Sequence, residues 1–188
     1  MVMHMRRVRK VIIVFLLGSI ILFSGSTLCS AATELEKLLD ERSCHMWIEG
    51  QVLGDMIIGA RAQIMAVLVD SELVDSIKED PSAPEWLSWH CNHFGSAPSG
   101  EVLIIIRYKT LKYWEFEPSD ITINGYIVKD DDIITRKDYI VRGTIPPDTE
   151  GTFAMYVPVL KNSDNGKGIL NVACDGHSCT IIMPEKMN

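Results

Sequence analysis

The rhythm of apolar and polar positions changes twice along this chain. Val11 to Phe23, V-I-I-V-F-L-L-G-S-I-I-L-F, is a strongly apolar run without a charge. Helical spacing follows. Leu35, Leu38 and Leu39 fall on one side of E-L-E-K-L-L-D-E-R-S, Glu34 to Ser43, which predicts a short amphipathic helix. From Trp47 to Val69 the residues Met56, Ala60, Ile64 and Leu68 recur every four positions among helix-favouring Ala and Met. Gly50, Gly54 and Gly59 interrupt that run and V-L-V at 67–69 would suit a strand, but the spacing predicts helix. Ser71 to Lys78 is helical through Leu73, Val74 and Ile77 and stops at Asp80-Pro81. A further helix starts at Pro84 in P-E-W-L-S-W-H.

The second change comes after N-H-F-G-S-A-P-S-G, Asn92 to Gly100, whose composition is that of a linker. Glu101 to Tyr108, E-V-L-I-I-I-R-Y, is a β-branched strand. Ile121 to Val128 carries an Asn-Gly turn or bulge signal at its centre. Lys137 to Arg142 is another strand. Thr152 to Leu160 alternates, with Phe153, Met155, Val157 and Val159 on one face; Gly168 to Cys174 and Cys179 to Met183 complete the set. Short strands joined by Gly, Pro and Asp turns predict an antiparallel β-sandwich or barrel. The expected class is α+β, with a helical region over 33–92 and a β-sandwich domain over 101–188.

The apolar run at the N-terminus has its own meaning. Arg6, Arg7, Arg9 and Lys10 precede it, and S-G-S-T-L-C-S-A-A follows. A basic start, a short apolar stretch and a small-residue exit describe a secretory signal peptide over 1–32, cut after Ala31 or Ala32. The competing reading is an uncleaved N-terminal anchor, since the uncharged run from Val11 to Thr33 is long enough to span a bilayer. Lipidation at Cys29 is set aside because bulky Leu28 directly precedes it. Either reading places the rest of the chain outside the cytoplasm.

Charge narrows the partners. The leader holds four of the 18 basic residues and none of the 25 acids, which leaves 14 against 25, a net charge of −11. Such a surface repels phosphate backbones, so nucleic acid is excluded as a partner. A protein or another envelope component is the expected partner, with membrane contact only through the N-terminal segment if it is uncleaved.

Four cysteines remain beyond the leader: Cys44, Cys91, Cys174 and Cys179. An even count in an oxidising compartment points to disulfides, and four cysteines allow three pairings. The stretch C-D-G-H-S-C, Cys174 to Cys179, reads as a hairpin with the two cysteines opposed. Val172 then faces Ile181 and Leu170 faces Met183, all on one core-facing stripe. That pairing leaves Cys44 with Cys91. The competing reading is a zinc or copper site, because the histidines beyond the leader all lie within two residues of a cysteine: Cys44-His45, His90-Cys91-Asn92-His93 and Cys174-x-x-His177-x-Cys179. Its ligands would come from His90, Cys91, His93, Cys174, His177 and Cys179. The expected cofactor content is none, because the spacings match no familiar metal motif.

Catalytic residues are likewise expected to be none. The chain lacks G-x-S-x-G, a phosphate-cradling glycine loop, H-E-x-x-H and C-x-x-C. Were it an enzyme, Cys91 beside His90 and His93 would be the nucleophile candidate. Asp130-Asp131-Asp132 could hold calcium but lacks EF-hand spacing and reads as a solvated turn. Trp114, with Tyr113 and Phe116, reads as core.

Two stretches carry a resemblance. F-E-P-S-D-I-T-I, Phe116 to Ile123, and G-T-I-P-P-D-T-E-G-T-F-A-M-Y-V-P, Gly143 to Pro158, resemble bacterial extracytoplasmic immunoglobulin-like sandwich domains. The second pattern falls on Pro147, Gly151, Phe153, Met155, Val157 and Pro158. The resemblance covers about residues 101–183, implies an immunoglobulin-like sandwich and carries no catalytic residues. The expected function is a non-enzymatic binding or structural module of the cell envelope.

Overall fold

A computed structural model describes residues 34–136, 140–158, 163–164 and 167–184. The leader, residues 159–160 and half of the expected strand Lys137–Arg142 lie outside the described residues; Ile140–Arg142 is described and is not a strand. The observed class is α+β, mostly antiparallel sheet with a few helices.

The elements run in this order: α1 (Glu34–Glu41), β1 (Ser43–Ile48), β2 (Gln51–Leu53), β3 (Met56–Ile58), β4 (Ala62–Val69), α2 (Ser71–Glu79) and α3 (Glu85–Cys91). Then come β5 (Glu101–Thr110), β6 (Trp114–Phe116), β7 (Ile121–Ile123), β8 (Tyr126–Ile127), β9 (Gly143–Ile145) and β10 (Glu150–Pro158). β11 (Ser163–Asp164), β12 (Lys167–Cys174) and β13 (His177–Ile182) close the chain. One sheet has the order β1-β4-β5-β10, all antiparallel. A second contains β11-β12-β7-β8, with β13 also paired to β12. One apolar cluster takes Ile64, Ile104, Ile106 and Phe153 from the first sheet and Ile123, Leu170, Val172 and Ile181 from the second.

β5 shows how sequence sets the layers. Val102 to Ile106 is buried throughout, because both faces of the strand are covered there. Val102, Ile104 and Ile106 join the cluster shared with the second sheet. Leu103 and Ile105 point the other way, onto Leu35, Leu38, Leu73, Ile77 and Leu87 of the three helices. Beyond Ile106 the pattern becomes R-Y-K-T, with Arg107 and Lys109 turned out and Tyr108 turned in. A continuous apolar run thus gives way to alternation where one face opens to water. Tyr108 is paired with Gly151 of β10, and its ring occupies the space that a Cβ at Gly151 would need.

The helical reading of 47–69 is corrected: this stretch forms β2, β3, β4 and the end of β1. A spacing of four residues belongs to a helix face and equally to a strand face, whose period is two. Ala62, Ile64, Ala66 and Leu68 lie on one side of β4, and Val67 and Val69 on the other. β4 is a central strand between β1 and β5, so apolar residues on both faces are its requirement. The glycines at 54 and 59 have φ of 59° and 80° and sit at strand ends rather than within a helix. The helical region therefore contains half of the first sheet. Residues 33–188 form one unit, with strand pairing running across the Asn92–Gly100 segment from β4 to β5.

The other helices fall where expected. Asp70 caps α2, its side chain accepting the Leu73 N–H at 2.8 Å. Pro84 opens α3. Asn124-Gly125, with φ of 51° and 82°, makes the two-residue turn between β7 and β8.

Candidate functional site

The hexapeptide Cys174–Cys179 is a hairpin, but its turn is tighter than the sequence suggested. Asp175 and Gly176 have φ of 49° and 76°, the geometry that a two-residue turn of the right twist demands. Cys174 therefore faces His177, Val172 faces Cys179, and Leu170 faces Ile181. The pairing of Cys174 with Cys179 is corrected by this register. A slip of two residues keeps every side chain on its face, so the core-facing stripe stands while the partners change. Cys179 instead bonds Cys44 of β1, at a Cα–Cα distance of 5.6 Å. The Cys44–Cys91 pairing is corrected with it: Cys91 and Cys174 are free, buried thiols.

Two polar ties hold the same hairpin. His177 Nε2 accepts the Glu49 N–H at 3.0 Å, and Asp175 Oδ2 accepts the Trp114 Nε1–H at 3.0 Å. Trp114 is buried in an aromatic group, stacked on Phe116 at 4.4 Å with Tyr108 edge-on. Tyr113, its neighbour, is exposed. The motif that opened the metal question is thus a clasp joining the second sheet to β1 and to the aromatic core.

The proposed ligand set is not assembled. Cys91 packs on the helical side of the first sheet, whereas Cys174 and Cys179 belong to the side facing the second sheet. No group of three or more His, Cys, Asp or Glu among the described residues is placed to hold a metal ion. Two carboxylates of the Asp130–Asp132 turn are engaged by protein groups: Asp132 accepts from the Tyr126 hydroxyl and the Lys129 N–H, and Asp130 from Arg142.

His90 and Cys91 are also unsuited to nucleophilic chemistry. Burial, with a smaller contribution from Asp70, pushes the Cys91 thiol up to about 12. Burial and nearby His93 push His90 down to about 4, and its Nδ1 is buried without a partner among the described residues. Both groups are held neutral by burial, and consecutive residues of a helix do not face each other, so the imidazole is not placed to activate the thiol. This has a consequence for acid stability. The unfolded chain protonates His90 near its ordinary value of 6.5, while the folded chain resists until about pH 4. Stability is therefore complete above pH 6.5 and falls as pH drops through that window. We expect His90→Leu to remove roughly 2–3 kcal/mol of the loss between pH 7.5 and 4.5. Urea unfolding of both proteins at the two pH values measures it. An equal loss in parent and variant would place the acid sensitivity elsewhere.

A cavity of about 880 Å³ opens beside α1 and α2. Leu35, Leu38 and Phe94 form its apolar part, and Glu34, Glu72, Asp75 and Glu79 are among its carboxylates. Asp70 and Glu72 are held there by Arg42.

The most unusual surface is one that sequence reasoning missed. Among the described residues β2 and β3 pair only with each other, as a ribbon extending the β1–β4 hairpin. Leu53 faces Met56 and Gln51 faces Ile58, so alternation puts all four on one face. Leu53 and Met56 are each 61% exposed and Ile58 49%. At the base of the ribbon the chain packs closely: a Cβ on Gly50 would lie 2.8 Å from the Trp47 Cβ and 3.1 Å from Ile57 Cγ2. This close packing fixes the bend from which the ribbon leaves. Arg61 and Lys112 tie the β5–β6 loop to its base, through Arg61 Nη1 to Tyr113 O at 2.7 Å and Lys112 Nζ to Gly59 O at 2.8 Å. That loop adds exposed Leu111 and Tyr113. The available sequence signal was M-I-I between Asp55 and Gly59, an apolar run too short to reach a core.

The structural class is therefore a disulfide-bridged, mainly antiparallel α+β protein that exposes an apolar ribbon. Comparison with family models, curated proteins and solved structures finds no match for this chain.

Proposed function

We propose that this chain is a non-enzymatic, extracytoplasmic interaction module of the cell envelope, working through the ribbon. The observation that carries the proposal is the apolar face of Leu53, Met56 and Ile58, left in water by an otherwise acidic chain. Contiguous apolar surface of this kind marks a binding region more than it serves folding. The Cys44–Cys179 bridge is compatible with an oxidising compartment and agrees with the leader's reading. The facing antiparallel sheets support an immunoglobulin-like architecture in outline, although β1 and β4 draw in residues 43–69, which that resemblance does not cover.

The test is retention in the envelope fraction of cells that make the protein. Leu53→Ser, Met56→Ser and Ile58→Ser together should leave the disulfide and the circular dichroism spectrum unchanged. Retention should weaken by about 100-fold, for three apolar groups at roughly 1 kcal/mol each. Unchanged retention of a folded triple variant would remove the ribbon from the function.

A further inference from the structure

We infer that the open half of the first sheet's outer face is a binding site for an acidic sugar, a ligand with one carboxylate among several hydroxyls; this goes beyond the proposed function and uses none of the ribbon's side chains. The strand registers build the site. The helices cover that face as far as Leu103 and Ile105 of β5. Beyond them His45, Met65 and Arg107 stand in one row across β1, β4 and β5. Trp47, Gln63, Lys109 and Glu150 form the next row, which reaches β10. Side chains alternate along a strand, so both rows share the face, and each residue in them is half-buried or exposed. Four strands and two rows make a floor of about 14 by 7 Å, the footprint of a disaccharide. A depression of about 240 Å³ lies in it, lined by residues of both rows.

Charge says what the ligand carries. Arg107 and Lys109 stand against one carboxylate, Glu150, a local excess of positive charge on a chain of net charge −7. Glu150 pairs with Arg107 at 3.1 Å and with Lys109 at 3.0 Å, and hydrogen bonds from Lys109 and Arg107 hold its carboxyl below the usual carboxylate range. An anion without hydroxyls would meet Glu150 as a repulsive neighbour. A sugar acid suits both signs: its carboxylate takes the cations and its hydroxyls donate to Glu150. The acidic chain as a whole turns away densely charged polymers, which leaves ligands of sparse charge.

The side chains are also of the kinds that read hydroxyls. The Gln63 amide, Glu150 carboxylate, His45 imidazole and Arg107 guanidinium are planar groups with more than one donor or acceptor position. Arg107 is held in place, its guanidinium 5.0 Å from the centroid of the Trp86 ring on α3. Among the described residues it donates one hydrogen bond, to Glu150, so the rest of its fork faces a ligand. Trp47 and Met65 supply apolar surface for the C–H face of a sugar ring. An extended peptide finds less here, because β4 and β5 are paired on both sides and offer no free backbone edge.

Titration of the chain as recovered from cells, followed by amide chemical shifts, tests this with an aldobiouronic acid, a glucuronate joined to a neutral sugar. We expect saturable shifts on the outward rows of β1, β4 and β5, with a dissociation constant on the order of 1 mM. Lys109→Gln and Arg107→Gln should each weaken binding about tenfold with the circular dichroism spectrum unchanged. Arg107→Lys keeps the charge but not the fork, and should bind closer to Arg107→Gln than to the parent. Lys109 is exposed, so its variant decides the matter if Arg107→Gln disturbs the fold. Cellobiose, which lacks the carboxylate, and acetate, which lacks the hydroxyls, should each bind about tenfold more weakly or less. No saturation up to about 20 mM, shifts confined to other surfaces, or indifference to Lys109→Gln overturns the inference. Equal binding of cellobiose would make the charge irrelevant, and equal binding of acetate would leave an anion patch that does not read sugar; either result overturns it too.

Discussion

Removing the Cys44–Cys179 bridge should destabilise the protein by about 5 kcal/mol, the chain-entropy value for a loop of this length. The bonded residues are 135 apart in sequence, so the bridge restricts most of the described chain when unfolded. It also joins β1 of the first sheet to β13 of the second at the core they share. A loss of this size is comparable to the whole stability of many domains. We expect Cys44→Ala with Cys179→Ala to unfold at much lower denaturant, and the parent to do the same after reduction. Cys91→Ala and Cys174→Ala should each cost about 1 kcal/mol, as buried groups without a covalent partner. Urea titrations with and without reductant measure all of these. If reduction left the parent's midpoint unchanged, the bridge would not be holding the sheets.

The second large effect is expected at Asp70. Its side chain is buried, accepts the Arg42 Nε–H at 2.8 Å and caps α2 through Leu73. Arg42 is buried too, and its guanidinium reaches Glu72 and Glu41 near the surface. Asp70→Ala would leave a buried cation with only its exposed partners and α2 without its cap. Loss of one partner from a buried pair costs about 3–5 kcal/mol, and loss of a cap about 1. Asp70→Asn keeps a capping oxygen but not the charge, so it should fall between parent and alanine variant. Arg42→Met in the Asp70→Asn background should recover part of the loss, since no unpaired charge then remains. Equal stabilities for Asp70→Asn and Asp70→Ala would mean that the cap contributes nothing.

These residues also show how far the sequence could be read. Helices α1 and α2 were legible from the spacing of their leucines, Val74 and Ile77, the end of α2 from Asp80-Pro81 and the start of α3 from Pro84. The inward face of β10 was legible from alternation at Phe153, Met155 and Val157. So was the stripe through Leu170, Val172, Cys174, Cys179 and Ile181, because face depends only on parity. Register does not, and a turn two residues shorter changed the partner of every residue in that hairpin. The disulfide partner was beyond reach for a related reason: nothing local to Cys179 points to a strand 135 residues earlier. β4 was misread because a central strand covered on both faces loses the alternation that identifies strands. The ribbon went unnoticed because Met56-Ile57-Ile58 has core composition, and exposure is a property of where the chain places it.

The claim on which the account most depends is a single covalent bridge between the two sheets, the feature that also supports the proposed extracytoplasmic location. Non-reduced peptide mapping of the chain recovered from cells, with thiols alkylated before and after denaturation, tests it most directly. The expected result is one cross-linked pair containing Cys44 and Cys179, with Cys91 and Cys174 alkylated only once the protein is unfolded. A Cys174–Cys179 or Cys44–Cys91 peptide, or four thiols in the native chain, would contradict it.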